Sequence, residues 1–382
     1  MGVLSGIRVL EFEAIGPAPF GCMLLADMGA DVLRVDRAVA AGDLGPKISG
    51  KHKNVTGRGR RSITLDLKHP DSADIALELM SKADIVIEGF RPGTMEKLGI
   101  GPDAALARNP KLVYGRMTGW GQTGPLAQRA GHDLNYIALS GVLSAIGRAG
   151  EAPVPPLNLV GDYGGGGMLL ALGVVAALVN VQRGGAGQVV DAAMIEGAAQ
   201  LGTTIWGLVA SGNWREARES NLLDGGTPWY DSYRTRDGHY MAVGAVEARF
   251  YAELLEKLGL ADADLPAQHD RKGWPVLRQR FAAVFAERTR DEWCRVFDGS
   301  DACVAPVLGL SEAPEHPQNR ARGSFVEYDG VVQPAPAPRF SATPSEISRP
   351  APQRGEGGRD ALRDWGFDDE RIAGLLGLAV HS

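Results

Sequence analysis

Short runs of branched apolar residues alternate with amphipathic stretches through the first half of the chain. Ile7 to Glu11 is such a run; the turn residues Gly16, Pro17 and Pro19 follow, then a helical stretch to Met28 and a second run, Asp31 to Asp36. This opening predicts a βαβ unit. The alternation continues with a strand at Ile63 to Leu67, a helix from about Pro70 to Ser81, and strands at Asp84 to Glu88, Leu112 to Met117 and Gln188 to Val190. A mostly parallel sheet is expected, followed by a long weakly polar helix, Ala192 to Ser211. The period then changes. Trp229 to Val246 reads as two strands around the turn pair Asp237-Gly238, with a helix from about Glu247 to Leu258, a helix at Arg290 to Phe297 and a strand at Ala302 to Leu308. Gln333 to Gly358 is crowded with Pro, Gly, Ser and Arg and reads as an extended connection, leading to a final helix, Arg359 to Leu376. The pattern divides the chain into a large α/β region (1–200), a linker (201–226), a smaller α+β domain (227–330) and a return segment (331–382).

Composition supports a folded chain. With 382 residues, 44% hydrophobic and 23% charged, it is long enough for two lobes and far from the disordered range. The net charge of −6 and the absence of a basic block argue against a nucleic-acid partner. Cys22, Cys294 and Cys303 form no CxxC pair, and their odd number suits a reducing compartment. The first residues read as a strand rather than a leader and the C-terminus is not an SKL-type address, so a cytoplasmic location is expected. The longest apolar run, Met168 to Val181, is shorter than the roughly 20 residues of a membrane span and reads as a buried helix.

Two segments carry candidate chemistry. Asn158 to Gly167 places Asp162 before four glycines and an apolar helix expected near Met168. An Asp there caps a helix, or stands as a reactive carboxylate beside backbone N–H donors that stabilise negative charge. Gly131-His132-Asp133-Leu134-Asn135-Tyr136 opens a helical stretch to Leu143, and its imidazole suits reversible proton transfer or a structural role. His52, His69, His239, His269, His316 and His381 stand in polar loops and read as surface. Gly119, Gly121 and Gly124 match GxGxxG after a strand, but Pro125 follows at once and no helix begins there, so a nicotinamide site is not expected. Arg34, Arg37, Arg60, Arg61, Lys68 and Arg91 lie near predicted strand ends, as phosphate ligands or as surface charges.

Taken in order, Gly16–Arg37, Arg61–Lys68, Asp84–Gly93, Arg116–Pro125, Ala130–Arg148, Pro155–Gly167, Gly187–Met194, Leu223–Glu247 and Ser300–Leu308 resemble the α-methylacyl-CoA racemase branch of the family III coenzyme A transferases (CaiB/BaiF). The resemblance runs from about residue 3 to 310, with a weaker tail. It implies a large Rossmann-like parallel-sheet domain completed by residues 331–382, a smaller α+β domain, and two subunits interlocked as a homodimer. It also implies an acyl-CoA thioester substrate, no metal and no cofactor, coenzyme A being part of the substrate. His132 and Asp162 are then the proton-transfer pair, with Glu247 holding the histidine tautomer. Arg37, Leu65, Asp66, Leu67, Lys68, Gly131, Asp133, Leu134, Asn135 and Tyr136 are expected to contact coenzyme A, Arg91 to contribute charge, and Asn158 to support the site.

The implied reaction interconverts (2R)- and (2S)-2-methylacyl-CoA. Inverting a carbon beside a thioester carbonyl requires a proton removed on one face and delivered on the other, through an enolate. Backbone N–H groups at Asp162 and the glycine turn are expected to stabilise that enolate. The rival activity is a coenzyme A transferase in which Asp162 attacks the thioester and becomes an acyl anhydride; a non-enzymatic acyl-CoA binding protein is the third reading. Three positions depart from the family pattern: Ala38 after Arg37, Ala248-Arg249 after Glu247, and Leu222 after Asn221.

Overall fold

A computed structural model describes residues 2–37 and 54–377; Ala38, His52 and His381 lie outside them. The chain forms two compact units. The first gathers Met1–Ser140, Pro156–Gly202 and Arg320–Ser382, and the second gathers Gly141–Pro155 and Thr203–Asn319.

In the first unit, strands β1 (Arg8–Phe12), β2 (Asp31–Asp36), β3 (Arg60–Thr64), β4 (Ile85–Glu88), β5 (Val113–Thr118) and β6 (Gln188–Ala193) form one sheet in the order β3-β2-β1-β4-β5-β6. Every pairing is parallel. Helices α1 (Pro17–Asp27), α2 (Ser72–Ser81), α3 (Thr94–Lys97), α4 (Pro102–Arg108), α5 (Asp133–Leu139), α6 (Leu169–Gln182) and α7 (Met194–Leu201) accompany it. Side chains alternate along each strand and fill two cores: Leu10, Leu33, Val86 and Tyr114 enter one, while Val9, Val32, Ile85 and Val113 enter the other.

Strand β3 begins at Arg60 rather than at Ile63 as the apolar pattern suggests. Its two arginines are structural: Arg60 is fully buried with Nε 2.9 Å from Glu11 Oε2, and Arg61 donates to Asp31 at 2.7 Å and also pairs with Asp364. Arg34 is likewise engaged, with Nε 2.7 Å from Asp36 Oδ1. These three are therefore corrected from ligand candidates to internal counter-charges. Arg60 and Arg34 satisfy carboxylates that the sheet has taken out of water, and Arg61 pairs with the partly exposed Asp31 and the exposed Asp364.

Four expected elements change. The helix expected at Ala192 to Ser211 becomes the end of β6, α7 and α8 (Thr203–Ala210), with a break at Gly202. The last helix divides into Gly358–Asp364 and Asp369–Gly377 around Gly366, whose φ of +86° ends the first piece. Residues 201–226, expected as a linker, contain α8, and a hairpin of Phe325–Tyr328 with Val331–Pro334 returns the chain to the first unit. Its Gln333 Oε1 accepts from buried Arg58 Nη1 at 2.7 Å. Leu159–Gln182 is one continuous helical run of 24 residues with a mean hydropathy of 1.9 in its apolar window, long and apolar enough by composition to cross a membrane. The expectation that this run is too short fails because the glycine segment is helical as well. Within the unit, Leu170, Ala171, Val174, Ala177 and Leu178 of this run are buried in a core.

The second unit holds β7 (Tyr230–Arg234), β8 (Tyr240–Gly244) and β9 (Val304–Pro306) in one antiparallel sheet, with helices α9 (Ala248–Lys257), α10 (Trp274–Phe285) and α11 (Arg290–Phe297). Trp229, Tyr233, Phe281, Phe285 and Trp293 dominate its core. α10 went unforeseen, although Leu277, Phe281, Val284 and Phe285 are spaced as one buried helical face.

Replacing Glu11 with Ala leaves the Arg60 guanidinium buried without its carboxylate. The Glu11→Ala variant is expected to lose about 3–5 kcal/mol of unfolding free energy, read as a lower urea midpoint with an unchanged slope.

Candidate active site

The strand order reverses direction between β1 and β4, and in open parallel sheets ligands occupy the crevice beyond the carboxyl ends of the strands at such a point. The selected residues converge on that edge of the first unit. Arg37 follows β2, Leu65 to Lys68 follow β3, Arg91 follows β4, and the chain leaving β5 leads through Gly119 to His132. At the end of β1, Gly16 adopts a φ of +70°, and a Cβ there would stand 3.3 Å from Asp162 Oδ2.

Asp162 does not cap a helix. It lies inside a π-helix, Leu159–Met168, that runs without interruption into α6. The glycines explain why this wide turn forms: it packs closely against α1 and α7, and a Cβ on Gly165 would lie 2.6 Å from Ala198 N, one on Gly167 2.6 Å from Pro17 O. On the α7 side, a Cβ on Gly197 would lie 1.8 Å from Gly165 O. Backbone therefore packs on backbone, and Asp162 is fixed from both sides.

His132 precedes the first residue of α5, exposed, with its N–H donating to Asn135 Oδ1 at 3.0 Å. The next residue, Asp133, is buried and accepts the Asp162 N–H through Oδ2 at 2.7 Å. Asn158 Nδ2 donates to Asp162 Oδ2 at 3.3 Å. Burial pushes the Asp162 carboxyl above the usual carboxylate range; the Asn158 bond opposes this, the charge of Asp133 adds to it, and His132 opposes it. Tyr136 packs edge-on against Trp120, with ring centroids 4.7 Å apart, and donates to Gly131 O; burial and the Asp162 charge push its phenol up to about 12.

These bonds overturn one expectation. The Asp162 N–H is taken by Asp133, and the N–H groups of Gly164 to Gly167 lie within the π-helix's own bonding, so neither is free to serve an oxyanion. The N–H groups of Asp133 and Leu134, in the first turn of α5, have no acceptor among the described residues.

The remaining candidates divide by exposure. Lys68 and Arg91 are exposed and Arg37 is half-buried, whereas Leu65 is 2% exposed within a core, so its side chain is withheld from any ligand. Asp66 and Leu67 are half-buried, and Asp66 Oδ1 accepts the Lys68 N–H at 3.0 Å. Glu247 is exposed immediately before α9 in the second unit. No helix starts directly at the glycines after β5, since α5 begins only at Asp133, and Gly119 is covered by Tyr136, whose ring would meet a Cβ there at 2.1 Å. Among the described histidines, His239 and His269 are exposed and His69 and His316 half-buried. No group of three or more His, Cys, Asp or Glu side chains is placed to hold a metal among the described residues. The roles of Gly16, Gly197 and the Asp133 anchor went unread. Only a small residue standing opposite another small residue signals such a contact, and that pairing is invisible along one chain.

The profile of the family described as CoA-transferase family III matches residues 4–357, and the chain belongs to that family. It is 47% identical over 382 residues to a mouse (Mus musculus) protein named alpha-methylacyl-CoA racemase, covering 100% of this chain and 96% of that one. The human protein of the same name is 46% identical over 371 residues, covering 97% and 95%. A solved structure of a CaiB/BaiF family protein from Brucella suis superposes with a TM-score of 0.78 at 25% identity, covering 95% of this chain and 99% of that one.

A methyl group at Gly197 has no room against Gly165. Gly197→Ala is expected to lower stability by about 1–3 kcal/mol and to reduce turnover, because the π-helix carrying Asp162 must shift. Thermal melting together with steady-state kinetics checks both.

Proposed function

We propose that the chain is a racemase of 2-methylacyl-CoA thioesters, interconverting the (2R) and (2S) forms by α-proton exchange. The observation that carries this reading is the placement of His132 and Asp162 at one switch point, within electrostatic reach of each other. High identity to two proteins named alpha-methylacyl-CoA racemase supports it.

His132 takes the α-proton from one epimer as the C–H electron pair moves into the carbonyl, giving an enolate. Asp162, protonated in that half-reaction, returns a proton to the opposite face; the reverse direction exchanges the roles. Burial raises the Asp162 carboxyl above the usual carboxylate range and so favours its protonated form, as a proton donor requires. The enolate oxygen needs a donor, and the unoccupied N–H groups beside His132 are those of Asp133 and Leu134. Lys68, Arg91 and Arg37, on the same strand edge, are proposed to meet the coenzyme A phosphates. Glu247 is proposed to hold the His132 tautomer in the working assembly.

That assembly is proposed to be a homodimer in the cytoplasm, acting without metal or added cofactor. Exposed Leu134 and Leu139 on α5, Leu159 and Met168 on the π-helix, Leu172 and Val179 on α6 and Leu201 on α7 support a partner covering apolar surface.

Incubating a pure epimer of 2-methylacyl-CoA in deuterated water is expected to give α-deuterium uptake and loss of optical purity with no acceptor acid. Transfer of coenzyme A to an added carboxylate, with hydroxylamine trapping at Asp162, would instead assign the transferase reaction. His132→Ala and Asp162→Ala are each expected to lower inversion by about 10²- to 10⁴-fold or more while coenzyme A binding stays measurable by calorimetry.

A further inference from the structure

Asp133 sits in the site in a way that contact with substrate does not explain. It is 6% exposed, one oxygen accepts the Asp162 N–H at 2.7 Å, and the other, Oδ1, is buried with no partner. A carboxylate held dry and half-satisfied is costly, and such groups occur where they act on a neighbour. Gly161 permits the arrangement: a Cβ there would fall 2.6 Å from Asp133 Oδ2.

We propose that Asp133 is a positioning residue that anchors the backbone of Asp162 and, against the opposing pull of Asn158, sets how readily Asp162 holds its proton. The inference rests on Asp162 being one of the two proton-transfer groups. Asp133 adds negative charge beside the Asp162 carboxyl and favours its neutral form, while Asn158 donates to the carboxylate and favours the ionised form.

The other groups around Asp162 leave these two in control, together with His132. Tyr136, on α5, is turned to Gly131 O. On α1, Asp27 is paired with Arg58, and Cys22 lies beside Glu11 and Arg60. Arg116 on β5 is paired with Glu88 and Glu96, while Asp191 on β6 and Glu196 on α7 are exposed. α6 carries no charged residue, and Tyr163 on the π-helix is stacked on Phe20 at 4.4 Å.

Asp133→Asn separates charge from anchor, because its amide oxygen still accepts the Asp162 N–H. The test follows kcat/KM for α-proton exchange against pH, with thermal melting and coenzyme A binding as checks on folding. Removing the negative charge weakens proton binding at Asp162, so the acid limb is expected to move down by roughly 0.5–1 pH unit. Asn158→Ala removes the opposing donor and is expected to move the same limb up. Asp133→Ala, lacking the anchor too, should lose a further tenfold or so in kcat at every pH. Should Asp133→Asn not fold, Asp133→Ser keeps an acceptor without the charge and is read in the same way. An acid limb unmoved in the uncharged variant, whether or not the rate falls, overturns the proposal. Asp162→Asn distinguishes that result from failure of the underlying mechanism: full exchange by this variant would remove Asp162 from proton transfer altogether.

Discussion

A parallel sheet covered on both faces must neutralise its charges where they stand. The first unit does this strand by strand: Glu11 on β1 takes Arg60 from β3, Asp36 on β2 takes Arg34 from its own strand, and Glu88 on β4 takes Arg116 from β5. Water is excluded from most of these pairs, so each partner is obligatory once the other is present. The result is a rigid platform whose internal guanidiniums are unavailable to ligands. The candidate site residues of the first unit lie in the segments beyond the strand ends.

Around Asp162 the restraint comes from backbone contacts, whereas Glu13 after β1 and Glu96 after β4 are held by ion pairs with Arg354 and Arg116. Asp162 is gripped between α1 and α7 through positions where even one methyl group has no space, and its own N–H is held by Asp133. His132, by contrast, stands exposed at the head of a short helix with only its backbone tied. One member of the pair is locked by the fold. The other has no side-chain hydrogen bond among the described residues to fix its ring.

Much of the fold was legible in the sequence because it follows from period-two alternation and turn residues. β2 and α11 coincide with their expected bounds, and the remaining predicted strands shift by a few residues at most. The failures share a cause. Arg60, Arg61 and Arg34 looked like surface or ligand-binding charges because their carboxylate partners are set by pairing in space. The helical continuity of Leu159–Gln182 was hidden because glycines read locally as a turn, and only the close approach of α1 and α7 makes them helical. The candidate pair itself was legible through family resemblance; its second layer, Asp133 with Gly161 and Gly197, exists only in three dimensions.

The π-helix has a consequence for which positions around Asp162 can be substituted. Its glycines are constrained by backbone contact on both sides, so the mount of Asp162 has no room for a larger residue at these positions. A carboxyl group is in general able to shuttle a proton or to attack a thioester. A family described by transferase chemistry yet containing proteins named as racemases is what such a fixture permits. Sterically, the groups that face Asp162 are open to substitution, and its seat is closed to it.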